Sequence, residues 1–328
     1  MLGGVFRFLA AAGLAALLSV PSWAAETITL KIGYPAGGGF DLSGRLVARH
    51  LGKYLEGNPS FVVQNVPGGG SLKLTEMLQE SEPGDGSVIG MVSPTMATAP
   101  LLDPAMQHLR PSGFRWIGGL RNEASVCFTG RKSGVATVDD FRNGEILIGA
   151  SGKASTTYLH AAMVKAILGA RFTIVTGFQG INDIDAAIER GEIAGRCSAT
   201  YSSLRSMGLL DSVNVILTVV ADAATDTAKV PLISDLAASQ RDRDAIELIM
   251  GTLTFHHPLL LPSAASPEIV ETYRAAFDEM VRDPAFLAEA EALKVEISAT
   301  GGARIDELVG TYYASPPETV ARARELIQ

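Results

Sequence analysis

A local unit repeated four times along the chain narrows the possible folds. Each unit is a short β-type segment, a glycine-containing loop and a segment of helical periodicity, and the four loops are 35–39, 67–71, 151–155 and 177–180. Parallel neighbouring strands need a crossover connection, which a helix usually provides. The unit therefore predicts an α/β fold of mostly parallel strands, with the glycine loops at one edge of each sheet.

Periodicity predicts the other elements. The third loop leads into a helix over 156–168, the polar residues 239–244 predict a mobile connection, and the apolar run 248–255 predicts a returning strand. Helical periodicity covers 267–293, and 317–327 predicts a terminal helix that begins with proline. A chain of this length is expected to form two lobes, and we expect these two helices to pack against the first.

The N-terminal residues have the pattern of an export signal. Arg7 precedes an apolar run over 8–20, and 21–24 supplies small residues for cleavage after Ala24. The run is too short to span a bilayer. A buried N-terminal helix is the alternative to an export signal. We therefore assign 1–24 to a signal peptide and expect a mature, periplasmic protein.

Charge and cysteine content exclude several classes of protein. The chain has 27 Lys and Arg against 35 Asp and Glu, without a long basic cluster, so no nucleic-acid partner is expected. Its two cysteines exclude a disulfide-dense scaffold and a four-cysteine metal site. Cys127 and Cys197 either form a disulfide in an oxidising compartment or stay free in apolar strands, and both possibilities remain open.

The glycine loops suit an anion. A helix N-terminus carries unpaired N–H groups and a partial positive charge, so such a loop can hold a carboxylate without Lys or Arg. Asp41 and Ser71 are placed to cap helices, and the residues around the loops are small or hydroxylic. The alternative is that glycine only permits tight turns. No loop has the spacing of a dinucleotide motif or a P-loop, and we expect no cofactor.

The residue pattern favours neither a catalytic site nor a metal site. His256 and His257 are adjacent, so in a strand they would point to opposite faces, and no further ligand cluster accompanies them. An N-cap is favoured over a catalytic base for Asp41. The chain has no G-x-S-x-G motif, and no histidine has a recognisable catalytic context, so we expect neither an enzyme nor a metal protein.

The order of the motifs resembles a known family. The relevant segments are YPAGGGFD at 34–41, VQNVPGGG at 63–70, PGDG at 83–86, ASGKAS at 150–155 and GFQGIND at 177–183. They resemble the substrate-binding receptors of tripartite tricarboxylate transporters, the Bug family, over essentially the whole mature chain. The resemblance implies a two-lobed type II periplasmic-binding-protein fold with crossing strands near 125–129 and 251–256. Lobe 1 would comprise 25–127 and 251–328, and lobe 2 would comprise 128–250.

The resemblance also implies a function. Such receptors bind a small organic acid or amide between the lobes through loop N–H groups, hydroxyls and water, and deliver it to membrane permease subunits. We expect this chain to be a receptor of this kind and to act as a monomer. A ligand-presenting receptor for a membrane sensor is the alternative, with a periplasmic enzyme as a third reading. By position, the ligand contacts would be Phe40, Asp41, Gly69, Gly70, Ser71, Ser93 and Thr95 in lobe 1, and Ser151, Ala154, Ser155, Thr156, Phe178, Gln179 and Ser198 in lobe 2.

Three positions depart from the family pattern. Phe40 stands where Ser or Thr is frequent, Gln179 where Lys or Arg is common, and 255–257 where an aromatic-glycine pair is frequent. Phe40 and Phe178 either flank an apolar part of the ligand or face the core. These departures affect the identity of the ligand rather than the fold.

Overall fold

A computed structural model of the protein describes residues 27–121, 124–206, 208–221 and 230–328. The strands are β1 (Thr27–Ile32), β2 (Ser60–Asn65), β3 (Val88–Met91), β4 (Arg115–Arg121), β5 (Ser125–Gly130), β6 (Leu147–Gly149), β7 (Thr173–Val175), β8 (Gly195–Thr200), β9 (Val213–Val220), β10 (His256–Leu261) and β11 (Thr300–Gly301). The helices are α1 (Gly39–His50), α2 (Leu72–Glu80), α3 (Ala99–Leu102), α4 (Val138–Asn143), α5 (Thr156–Leu168), α6 (Ile181–Arg190), α7 (Tyr201–Ser206), α8 (Gln240–Met250), α9 (Pro267–Met280), α10 (Pro284–Ala292), α11 (Gly302–Tyr313) and α12 (Pro317–Leu326). The predicted export signal at 1–24 lies outside the described residues.

The described strands form two sheets. One has the order β11-β4-β10-β3-β1-β2 and the other has the order β7-β6-β8-β5-β9. In the first sheet β1 to β4 share one direction, and in the second β6 to β9 do, while β5, β10 and β11 run antiparallel to their neighbours. Helices flank both sheets, which confirms the predicted α/β fold of two lobes. Each glycine loop follows a parallel strand and therefore lies at a carboxyl edge.

The chain passes between the sheets twice. It leaves the first sheet at Arg121, the last residue of β4, and enters the second at Ser125, the first of β5. It returns through α8 and a 3-10 helix over Gly251–Phe255 into β10. The predicted strand over 248–255 is therefore wrong, because these residues are helical. The predicted mobile connection at 239–244 is also wrong, since the Ser239 hydroxyl accepts a hydrogen bond from the Asp242 N–H at 3.1 Å and caps α8.

Two further differences concern the C-terminal third. The helical region 267–293 is two helices, because Asp283 caps a new helix just before Pro284. The terminal helix α12 packs against α8 and α5 of the second lobe and also against α3 of the first, where Arg324 Nε donates to the Leu101 carbonyl at 2.8 Å, so it bridges the lobes instead of packing on the first alone. Helix α9 does pack against β4 of the first sheet. The exact lobe boundaries stay a prediction.

Apolar side chains pack continuously between the two sheets. One buried cluster includes Trp116 and Phe255 near the crossings together with Met163 and Phe172 of the second lobe. Among the described residues, no helix is both long and apolar enough to cross a membrane. The glycine loops are thus carried by two firmly packed lobes that share part of a core.

Candidate functional site

The carboxyl edges of the two sheets meet, and their glycine loops are in contact. A Cβ added to Gly70 would lie 2.9 Å from both the N and the Cβ of Ser155, and one added to Gly152 would lie 3.1 Å from the carbonyl carbon of Gly69. A methyl group at Gly70 would require the opposite lobe to shift, and one at Gly152 would require Gly69 to move by a few tenths of an ångström. The Thr95 hydroxyl donates to the Ala154 carbonyl at 2.5 Å across the same contact. The lobes are therefore closed on each other.

A second contact lies farther along the cleft. A Cβ on Gly180 would lie 3.2 Å from Cγ of Pro35, and one on Gly37 would lie 3.5 Å from Nδ2 of Asn182. The loop after β1 therefore faces the start of α6. All four glycine loops found in the sequence take part in contacts between the lobes.

Hydroxyl groups line the first-lobe side of the cleft. The Ser71 Oγ accepts from the Ser93 N–H at 2.7 Å, and the Oγ of Ser93 lies 2.7 Å from Oγ1 of Thr95. All three residues are buried. Ser71 occupies the N-cap position of α2 with a φ of 76°, but its side chain makes no cap bond. The predicted capping role of its hydroxyl is wrong, because that hydroxyl instead fixes the chain after β3.

The second-lobe loop is organised by Ser155. Its hydroxyl donates to the Gly152 carbonyl at 2.6 Å and accepts from the Tyr158 N–H at 3.3 Å, which caps α5. It also lies 2.8 Å from Oγ1 of Thr157, which accepts from the Ser151 N–H at 3.1 Å. Sequence reasoning missed Thr157, although it directly follows the predicted contacts Ser155 and Thr156. These bonds fix the shape of the loop and pair the N–H groups of Ser151 and Gly152 within it.

Asp41 holds the first glycine loop in place. Its carboxylate accepts from the Gly37 N–H at 2.9 Å, from Arg45 Nε at 3.0 Å and from Asn65 Nδ2 at 2.9 Å. Gly38 occupies the N-cap position of α1, so the predicted N-cap role of Asp41 is wrong. Burial alone would raise the pKa of Asp41, but these hydrogen bonds outweigh it and hold the pKa below its usual value. An ionised, bound carboxylate fits a positioning role rather than that of a base.

Two of the remaining predicted contacts pack against the lobe cores, and one is exposed. Phe40 stacks on Tyr34 at a ring-centroid distance of 4.2 Å and packs against the first-lobe core, while Phe178 packs against the second-lobe core. Gln179 is exposed, and its N–H donates to Asp183. Ser198 has a φ of 63°. The structure thus brings Gly69, Gly70, Thr95, Ala154 and Ser155 together, and their role in binding a ligand stays a prediction.

The two adjacent histidines lie together instead of on opposite faces. His257 has a φ of 52°, which breaks the alternation of an extended strand, and the ring centroids of His256 and His257 are 4.6 Å apart. Both are buried. In the part of the chain that the structure describes, no group of three or more His, Cys, Asp or Glu is placed to hold a metal.

The question of the two cysteines is answered by the structure. Cys127 in β5 and Cys197 in β8 form a disulfide between neighbouring antiparallel strands of the second sheet. Both residues are fully buried.

A cavity lies apart from these loops. Its volume is about 410 Å³, and Arg205 of α7 and Leu287 and Glu291 of α10 contribute to its wall. None of its lining residues belongs to a glycine loop, so it is separate from the cleft.

Solved structures share this architecture. The sequence matches no protein-family model and no curated protein sequence. MatC from Rhodopseudomonas palustris, determined with bound malate, is 16% identical with a TM-score of 0.68, and the match covers 92% of this chain and 99% of MatC. The R. palustris protein Rpa4515, determined with adipate, is 16% identical with a TM-score of 0.69 over 90% of this chain and 97% of its own. The periplasmic binding protein BugD is 16% identical with a TM-score of 0.66 over 92% and 97%. The chain therefore has the fold of these two-lobed binding proteins.

Proposed function

We propose that this chain is an extracytoplasmic solute-binding receptor of the tripartite tricarboxylate transporter type. It captures a small carboxylate between its lobes and delivers it to membrane permease subunits. The observation that carries the proposal is the direct meeting of glycine loops from opposite lobes, at Gly70 with Ser155 and at Gly69 with Gly152. The shared fold of MatC with malate and Rpa4515 with adipate supports it.

The geometry suits the capture of an anion. Helices α1 and α5 begin at Gly39 and Thr156, next to loops of opposite lobes, so their unpaired N–H groups and partial positive charges lie at the cleft. A carboxylate that contacts both loops stabilises the closed form relative to the open form. The closed surface is what the permease recognises. The ligand undergoes no covalent change, and the receptor uses no cofactor. The receptor is a monomer that reaches the periplasm through the export signal.

A ligand screen tests this function. The chain from Ala25 onward, unfolded and refolded to remove carried-over ligand, is heated with malate, adipate, a tricarboxylate, an aromatic acid, an amino acid or a neutral sugar. A carboxylate at ten times its dissociation constant should stabilise the protein by about 1.4 kcal/mol, measured as a rise in Tm. The acid should be recovered unchanged. Stabilisation by the sugar alone, or conversion of any compound, would require another function.

The interlobe hydrogen bond gives a second test. Thr95→Val keeps the shape of the side chain but removes the hydroxyl that reaches the Ala154 carbonyl. We expect the Kd of the best carboxylate to rise about tenfold, equal to ~1.4 kcal/mol, because the closed form loses one buried hydrogen bond. Isothermal titration calorimetry measures the change.

Thr98→Val is the matched control for this substitution. Thr98 is also buried, but its hydroxyl donates to the Thr95 carbonyl within the same lobe. Its affinity should stay close to that of the wild type. Equal affinities for both variants would show that the contact between Thr95 and Ala154 does not contribute to ligand binding.

A further inference from the structure

His256 lies at the joint between the two lobes. It is the first residue of β10, directly after the 3-10 helix Gly251–Phe255 through which the chain returns to the first sheet. Its partner in the β4 register is Arg121, the last residue before the chain crosses to the second sheet. Lobe closure is absorbed by a few residues at such element ends. His256 therefore lies where both crossings meet the first sheet.

The same pair contacts the first glycine loop. The ring of Phe40 packs against both histidines, with centroid distances of 5.4 Å to His256 and 4.2 Å to His257. Nδ1 of His257 lies 2.8 Å from the Ser43 hydroxyl of α1, and a Cβ on Gly39 would lie 3.7 Å from Cε1 of His257. The two histidines are only 6% and 3% exposed. The cluster thus connects the joint to the loop that faces the ligand.

The charged and titratable groups around His257 come from each neighbouring element. Strand β4 contributes Arg121, β10 contributes His256, α1 contributes the uncharged Ser43 and Phe40, and the end of β1 contributes Tyr34. Burial raises the pKa of Tyr34 to about 12, so it stays neutral. The carboxylate of Asp41, also on α1, is bound by Gly37, Arg45 and Asn65.

These surroundings disfavour a charged imidazole at His257. Burial is the largest cause and lowers its pKa well below the usual value, and repulsion from His256 and Arg121 lowers it further. A proton added to a buried cluster of this kind costs free energy unless water or movement relieves it. Opening of the joint is one movement that supplies that relief.

We propose that His257, packed against His256 at the joint, makes closure of the cleft depend on pH, with a neutral His257 favouring the closed form and its protonation favouring opening and ligand release. The proposal rests on the proposed receptor function and adds a regulation to the same site. A hydrated histidine in the open form takes up its proton near pH ~6.5, whereas the closed form stays neutral at that pH. Affinity is therefore steady above about pH 7 and falls as the pH decreases below ~6.5, by up to about tenfold per pH unit for one proton.

The test compares binding profiles of three proteins. The Kd of the best carboxylate is measured by calorimetry from pH 7.5 to 5.0 for the wild type, His257→Asn and His108→Asn. Asparagine tolerates a positive φ and keeps a polar group near Ser43. His108 pairs with Glu76 at an exposed site and is the matched control. The affinity of the wild type and of His108→Asn should fall by up to about tenfold per pH unit below pH 6.5. The affinity of His257→Asn should fall clearly less.

Titration of the ligand itself is common to all three proteins and cancels in the comparison. The same pH profile in His257→Asn and the wild type would overturn the proposal while leaving the receptor function in place. Should His257→Asn fail to fold, as judged by circular dichroism, His257→Gly replaces it with the same expectation, because glycine also tolerates the positive φ.

A second measurement needs no ligand. The pKa of His257 is read from the imidazole proton signals of the wild type and of Gly70→Ala, in which the added Cβ meets Ser155 and opposes closure. The signal absent from His257→Asn identifies the residue. We expect a lower pKa in the wild type than in Gly70→Ala. Equal values would overturn the coupling between protonation and closure, whether or not any carboxylate binds.

Discussion

Gly70→Ala should weaken carboxylate binding by at least about 100-fold, equal to ~2.7 kcal/mol. The added methyl group would lie 2.9 Å from the backbone N of Ser155, which belongs to the opposite lobe and is fixed at the start of α5. Backbone atoms there cannot move aside as the end of a flexible side chain can. The lobes are then held apart, and the ligand is left with the contacts of one lobe. Calorimetry on the refolded variant measures the loss.

A control must separate closure from backbone strain. Gly70 has a φ of 71°, which alanine disfavours wherever it occurs. Gly134 has a φ of 72°, and a Cβ there would meet nothing within 4 Å. Gly134→Ala should therefore cost a similar amount of folding stability but leave the affinity unchanged. If both variants bind equally well, contact at Gly70 does not limit closure.

Gly152→Ala tests the same contact from the second lobe. Its φ lies outside the left-handed region, so alanine introduces no comparable strain, and the added Cβ would lie 3.1 Å from the carbonyl carbon of Gly69. The approach is less close than at Gly70. We expect a smaller loss of affinity with unchanged folding stability, which would place the effect in the contact between the lobes.

The sequence was informative where local patterns decide the structure. Helix α5 was predicted over 156–168 and is found at Thr156–Leu168, because a Ser cap precedes it and a glycine ends it. The units of strand, glycine loop and helix are identifiable because the spacing of the apolar residues changes at a glycine, from a period of two residues to one of 3.6. These units determine the α/β fold and place the loops at the sheet edges.

Errors arose where a residue's partner is distant in sequence. The apolar run 248–255 fits both a buried strand and a buried helix by periodicity alone, and packing in the core that spans both lobes decides for helix. Asp41 and Ser71 occupy positions where a local cap is expected. Their side chains instead bind Asn65 of β2 and Ser93 after β3, partners that local rules do not include.

In the candidate site, too, the sequence identified residues but not their distant partners. Thr95 and Ala154 were both predicted to face a ligand, and the structure shows that they bind each other across the cleft. That contact depends on the relative placement of two lobes, which no local pattern encodes. The positive φ of His257 likewise brings its ring beside that of His256, where strand alternation predicted the opposite.

Loss of the Cys127–Cys197 disulfide should lower the free energy of unfolding by about 4 kcal/mol. The bridge closes a loop with a sequence separation of 70 residues, and constraint of the unfolded chain grows with loop length. This is a large part of the ~5–15 kcal/mol that stabilises a typical domain. Urea unfolding of the wild type with and without reductant measures the difference. An oxidising compartment, as proposed for this receptor, is where such a bond persists.

The variant Cys127→Ala/Cys197→Ala is the control for the reductant. The free energy of unfolding of this variant should be lower than that of the oxidised wild type. It should not change when reductant is added. Mass analysis after alkylation of the unfolded wild type without reductant should find no modified thiol, and two modified thiols would contradict the bridge. The bond joins β5 to β8 within the second sheet. Its loss should reduce stability far more than it changes ligand affinity, under conditions where the variant remains folded.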